Sequence, residues 1–227
     1  MSWLTQTLTG SIGKKLLMAL TGLFLILFLT VHLAGNLQLL LGDEGESFNI
    51  YAHAMATNPF IKVVSYGNFL FIFLHVVYSI LLTRKNRSAR SVGYEVSTQD
   101  SKSSWASKNM GILGTILMIF IVAHLKGFWF EFKFGSVPTV IYDGMEYLNV
   151  YSTVSFAYTN IFIVIFYVVS MAFLAFHLSH GFASAFQTLG LNHKKYSPIV
   201  NTVGKVFSIL IPALYALIPI MMYMSSL

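Results

Sequence analysis

Five stretches of this chain are apolar for long enough to cross a bilayer, and that constrains its fold more than any other feature. They run over residues 15–41, 60–83, 109–130, 158–188 and 199–224. A hydrocarbon core of about 30 Å takes roughly 20 apolar residues of helix per crossing. Within that core every backbone N–H and C=O must be paired inside the protein, which leaves helices as the form such stretches take. The expected fold is all-α, an integral membrane bundle of five transmembrane helices forming one domain over 1–227. Composition agrees with it. Charged residues make up 10% of the chain, against about 25% in an ordinary soluble domain. That is too few to coat a water-facing surface.

The net charge is +6, but the basic residues sit in short loops between apolar spans, so they read as topology rather than as a nucleic-acid surface. Lys14, Lys15, Arg84, Lys85, Arg87, Arg90, Lys102, Lys108, Lys194, Lys195 and Lys205 fall on one side of the spans, and Lys62, Lys126 and Lys133 on the other. The positive-inside rule places the richer side, and with it the N-terminus, in the cytoplasm. The first span follows Lys14 and Lys15 as a signal peptide would. It is longer than a typical 7–15-residue signal core and lacks a small-residue cleavage site, so it reads as a retained helix. The segment 131–157 is expected on the outer side, with a short surface helix. Pro212 and Pro219 lie inside the last span, where a membrane helix is expected to kink rather than break. There are no cysteines. This excludes disulfides, thiolate metal sites, iron–sulfur ligation and covalent heme attachment on this chain.

Seven histidines occur, and five of them lie within apolar spans: His32, His75, His124, His177 and His180. An ionisable side chain inside a membrane is costly and faces the bundle interior, so it marks a functional site by default. No Asp or Glu lies deep in a span, which argues against a carboxylate proton relay. At 1.5 Å of rise per residue, His32 stands roughly 26 Å and His124 roughly 22 Å from the inner surface, with His75 at roughly 12 Å and His177 at roughly 18 Å. The depths sort into an outer pair, His32 with His124, and an inner pair, His75 with His177. A lone histidine in a membrane helix is ordinarily a hydrogen-bonded packing residue. Four of them, one per consecutive helix at two matched depths, point to ligation. Two imidazoles from different helices can fill both axial positions of a heme iron, leaving no open site for dioxygen and suiting the group to electron transfer. Zinc or copper sites cluster their ligands more tightly and add carboxylate or sulfur. Gly35, Gly127 and Gly181 follow candidate ligands by three or four positions, on the same helical face, and are expected to admit a flat macrocycle.

The residues also resemble a family. FHLSHGFASAFQTLG at 176–190, together with VHLAGN at 31–36, FNIYAHAMATNPF at 48–60, LHVVYS at 74–79 and AHLKGF at 123–128, look like the diheme cytochrome b membrane anchor of succinate:quinone oxidoreductases. These are the succinate dehydrogenases and fumarate reductases whose anchor is a single five-helix polypeptide. The resemblance covers nearly the whole chain. It implies two b hemes, the outer on His32 and His124 and the inner on His75 and His177, with His180 a neighbour rather than a ligand. It implies a flavoprotein subunit and an iron–sulfur subunit as partners, a membrane quinone (typically menaquinone) as substrate near the outer heme, and a bacterial cytoplasmic membrane as location. Asn36, Gln38 and Asn58 are the expected polar contacts for quinone. His53, placed in the outer loop before the second span, is the expected proton carrier, because an unperturbed imidazole titrates near pH 6.5. The loop 84–108, with Lys194 and Lys195, is expected to dock the soluble subunits. Two other readings stand beside this one: a heme-b anchor of another respiratory dehydrogenase, and a heme-free transporter whose histidines line a polar pathway. A visible spectrum separates the last from both cytochromes.

Overall fold

The computed structural model describes residues 10–88 and 104–227. Five of its helices are long and apolar enough to cross a membrane, and the chain is a multi-pass membrane protein. The first, α1 (Ser11–Asn36), is extended by a 3-10 turn at Leu37–Leu40. A shorter helix, α2 (Glu46–Thr57), lies between it and α3 (Pro59–Ser88). Next come α4 (Trp105–His124), continued through a π-helical turn at Leu125–Phe130, and a short α5 (Glu131–Phe134). A hairpin of β1 (Thr139–Tyr142) and β2 (Met145–Leu148) follows, then α6 (Val150–Ala157). The last two are α7 (Ile161–Thr188) and α8 (Ser197–Ser225). The five long helices match the five apolar stretches, with ends displaced by a few residues. The last runs unbroken through Pro212 and Pro219.

Two features depart from the expectation for the connecting segments. The segment 131–157 does contain a short helix, α6, but it also folds into the hairpin. Tyr142 pairs with Met145 across a two-residue turn, in which Asp143 and Gly144 both have positive φ, 49° and 79°. That is the type I′ turn that Asp-Gly favours, because its twist matches that of the flanking strands. Residues 46–57 are helical rather than loop, so His53 stands on α2 and not in a loop.

With the hairpin set uppermost, α2, the hairpin and α6 form a cap over the upper end of the bundle. Asn49, fully buried, ties it together. Its Nδ2 donates to Tyr142 Oη at 3.0 Å and to Asn149 Oδ1 at 3.2 Å, and its Oδ1 accepts from the Tyr151 amide at 2.9 Å. Asn149 in turn accepts from the Ser152 amide and so caps α6. An apolar cluster lies just beneath, joining Leu33, Leu39, Phe48, Val154, Tyr158, Val164, Tyr167, Ile211, Ile218 and Met222. Elsewhere the long helices turn large apolar side chains outward, as in Tyr66, Leu70, Phe73 and Ile80 of α3. Lipid is the solvent for such a surface.

Around the bundle, α1 packs along α3 and α7, and α4 packs along α7. Helices α3 and α4 approach mainly near their ends, where Thr83 faces Gly111 and Phe69 meets Trp129. The last helix, α8, packs on α7 outside this ring of four, and its Tyr215 hydroxyl donates to the Leu29 carbonyl of α1 at 2.7 Å. Arg90, Lys102 and most of the basic loop 84–108 lie outside the described residues.

Candidate functional site

Two combinations of the four ring helices do not pack along one another: α1 with α4, and α3 with α7. These are the diagonals of the bundle, and each is bridged by two histidines. His32 of α1 meets His124 of α4 with ring centroids 5.9 Å apart. His75 of α3 meets His177 of α7 with centroids 6.3 Å apart. All four rings are half-buried. The chain thus brings four of its five span histidines together as an upper pair and a lower pair on crossed diagonals.

The spacing has a chemical meaning. A metal–imidazole bond of about 2 Å, with about 1 Å more from nitrogen to ring centroid, sets two axial rings about 6 Å apart across one iron. Both pairs stand at that separation. Among the described residues no three His, Cys, Asp or Glu side chains gather to hold a bare metal ion. Two axial imidazoles are all the protein a heme iron requires, since the macrocycle supplies its other nitrogens.

The surroundings orient these rings. Thr21 Oγ1 donates to the Leu17 carbonyl at 2.8 Å, which leaves its oxygen to accept from His75 Nδ1 at 3.1 Å. With the proton on Nδ1, Nε2 keeps its lone pair for a metal, the arrangement in which a ligating histidine is held by its other nitrogen. Gly22 lies against this ring, where a Cβ would stand 3.4 Å from His75 Cε1, an ordinary van der Waals contact. In the upper pair, His124 Nδ1 lies 3.2 Å from the Tyr167 hydroxyl. Phe28 stacks on His32 and Phe120 on His124, with centroids 5.2 and 5.6 Å apart. His177 differs from the others. Its Nδ1 is buried with no hydrogen-bond partner among the described residues, and a buried nitrogen of that kind ordinarily has one. His180 lies three residues on, its Nε2 3.4 Å from Ser184 Oγ, and takes no part in either pair.

The glycines divide. At Gly127 and Gly181 a Cβ would meet nothing within 4 Å, so both border open space. Gly35 is not: a Cβ there would stand 2.5 Å from the Tyr51 ring, so this glycine admits Tyr51 of α2 rather than a macrocycle. Gly22 and Thr21 were not among the expected site residues. Thr21 carried a usable signal, since it precedes His32 by eleven residues, three helical turns on the same face.

The expected quinone contacts are not brought together. Asn36 turns back on its own helix, donating to the His32 carbonyl at 2.7 Å with its amide nitrogen 3.3 Å from His32 Nδ1. Asn58 caps α3 by accepting from the Phe60 and Ile61 amides at 2.9 and 3.2 Å, so it is a structural residue. Gln38 is half-buried on the 3-10 turn. His53 is exposed, lies edge-on to Tyr147 with centroids 5.1 Å apart, and lines a recess of about 450 Å³ with Thr57, Lys133 and Glu146. Neither Asn36 nor Gln38 lines that recess. No protein-family model matches the chain, and no curated protein and no solved structure matches it.

Proposed function

We propose that this protein is a diheme cytochrome b that anchors a succinate:quinone oxidoreductase in the bacterial cytoplasmic membrane. The observation that carries the heme reading is the pair of histidine bridges across both diagonals, with centroids 5.9 and 6.3 Å apart. His32 and His124 hold the upper heme, and His75 and His177 the lower. When bound, the hemes would supply one-electron transfer between an iron–sulfur subunit and a membrane quinone. The chain's own part is to fix the ligands. Thr21 and Tyr167 hold His75 and His124 by one ring nitrogen, and the aromatic packing of Phe28 and Phe120 keeps water from the upper rings.

The anchor role rests on the sequence likeness in the fourth span and on the order of the shorter motifs. In this reading the lysine-rich lower end and the N-terminus are cytoplasmic. That end receives the iron–sulfur subunit and, through it, the flavoprotein that oxidises succinate. Quinone, of the menaquinone type, reacts at the upper end. With Asn58 used as a cap and Asn36 turned onto His32, His53 in its open recess is the group best situated to carry protons from the upper aqueous side. Gln38 remains as a hydrogen-bonding side chain near the end of α1.

The test is the assembled complex. Succinate is expected to reduce both hemes in the parent protein and in a His53→Gln variant. Quinone turnover in the variant is expected to fall at least several-fold. Succinate that leaves the hemes of the complex oxidised would remove the anchor role. Unchanged turnover in His53→Gln would remove His53 alone.

A further inference from the structure

Asn68 of α3 is unlike the other polar residues of the membrane-spanning helices. It is 8% exposed, and its Oδ1 is buried with no hydrogen-bond partner among the described residues. Thr21, Ser170 and Ser208, the other buried polar residues of these helices, each donate to a backbone carbonyl of their own helix. A buried amide oxygen left unpaired is costly, the more so where no water can reach it. Asn68 precedes His75 by seven residues, two helical turns, so both point from the same face of α3. Tyr66, Leu70 and Phe73, at 75%, 52% and 63% exposed, mark the opposite, lipid-facing side. Asn68 therefore faces the bundle interior.

Its depth follows from the contacts between helices. On the antiparallel pair α1 and α3, Thr21 meets His75 and Phe24 meets Phe71, a register that brings His32 level with about Val64 of α3. On the pair α3 and α4, Gly111 faces Thr83 and Phe69 meets Trp129, a register that brings His124 level with about Ile72. Asn68 is midway between those levels, at the height of the upper histidine pair and about 10 Å above His75. The upper pair draws its ligands from α1 and α4. Helix α3 therefore flanks that site from the side and faces the edge of whatever lies between the two imidazoles.

We propose that Asn68 holds the polar edge of the upper heme, its side-chain amide hydrogen-bonding one of the two carboxyl side chains that a b-type heme carries on its rim. The proposal rests on the diheme reading and deepens it. An amide both donates and accepts, so it pairs with that carboxyl whether ionised or protonated. Asn68 is a positioning residue here: it touches the cofactor's periphery and leaves the iron to His32 and His124.

The test uses the full chain with its hemes and reads the two midpoint potentials by spectroscopic titration over a range of pH. The upper heme is assigned as the one lost in His32→Ala. Asn68→Leu and Asn68→Ala are both expected to keep two hemes per chain. In both, the upper potential and its pH dependence are expected to move, because the ionisation of the rim carboxyl is coupled to the charge on the iron, while the lower potential stays as in the parent. If the leucine variant fails to accumulate, the alanine variant, which adds no bulk, is read in the same way. An upper potential and pH profile unchanged from the parent would overturn the proposal. Unchanged potentials with a loss of quinol turnover would also overturn it and assign Asn68 to the quinone. A parent chain that binds no heme would overturn the diheme reading itself, a result separable from either.

Discussion

Two of the paired histidines have a hydroxyl at Nδ1, Thr21 beside His75 and Tyr167 beside His124, and such a neighbour determines what the ring can do. Thr21 Oγ1, which donates to the Leu17 carbonyl, accepts from His75 Nδ1 and so leaves the Nε2 lone pair available as a ligand. A hydrogen bond of this kind raises the basicity of the ligand and favours the ferric state. Thr21→Val keeps the size of the side chain and removes the acceptor. The lower heme is expected to remain bound with a higher midpoint potential and the upper heme to be unaffected, as read by spectroscopic redox titration. An unchanged lower potential would remove Thr21 from the ligand's support. The paired histidines were legible in the sequence because an imidazole stands out in an apolar span. The neighbours were less so, because the partnership of Thr21 with His75 depends on how α1 and α3 pack.

The long helices were legible because length and apolarity alone specify them. The cap was not, since its elements are short and amphipathic and are stabilised by contacts with one another. Even so, the Asp-Gly turn between TVIY and MEYL carried a hairpin signal. The cap depends on Asn49, whose three hydrogen bonds join α2, the hairpin and α6. At about 1 kcal/mol for each net hydrogen bond, Asn49→Ala is expected to weaken the cap by roughly 2–3 kcal/mol. Hydrogen exchange should show faster opening of the hairpin amides over 139–148, with the long helices protected as before. Gly45 offers little tolerance either, with φ +88° and Tyr151 Cγ 2.1 Å from where a Cβ would stand. The start of α2 is also pH-sensitive. Asp43 accepts from Ser47 and from the Gly45 amide, and these bonds hold its carboxyl below its ordinary value of 3.8. A depressed folded-state pKa gives stability that is present above the unfolded value and lost as pH falls through the folded one. Exchange at the Ser47 amide is therefore expected to show no Asp43-linked change above about pH 5 and to quicken, relative to Asp43→Asn, as pH drops below about 4.

At the scale of the whole molecule, four helices enclose two histidine pairs on crossed diagonals, and the fifth lies outside them and supports the first through Tyr215. The fifth span is also the one without a histidine, which follows from its place outside the ring. Depth along each helix could be counted from the sequence and paired His32 with His124 and His75 with His177, whereas the placing of these pairs on the diagonals of the bundle could not, because it depends on packing. The central claim is that these pairs bind two hemes, and the pyridine hemochrome assay on the purified, folded chain, with protein quantified alongside, tests it most directly. The account predicts two b-type hemes per chain, one in His177→Ala or His32→Ala, and two in His180→Ala. A folded, colourless chain would contradict it, and so would one heme per fully loaded chain.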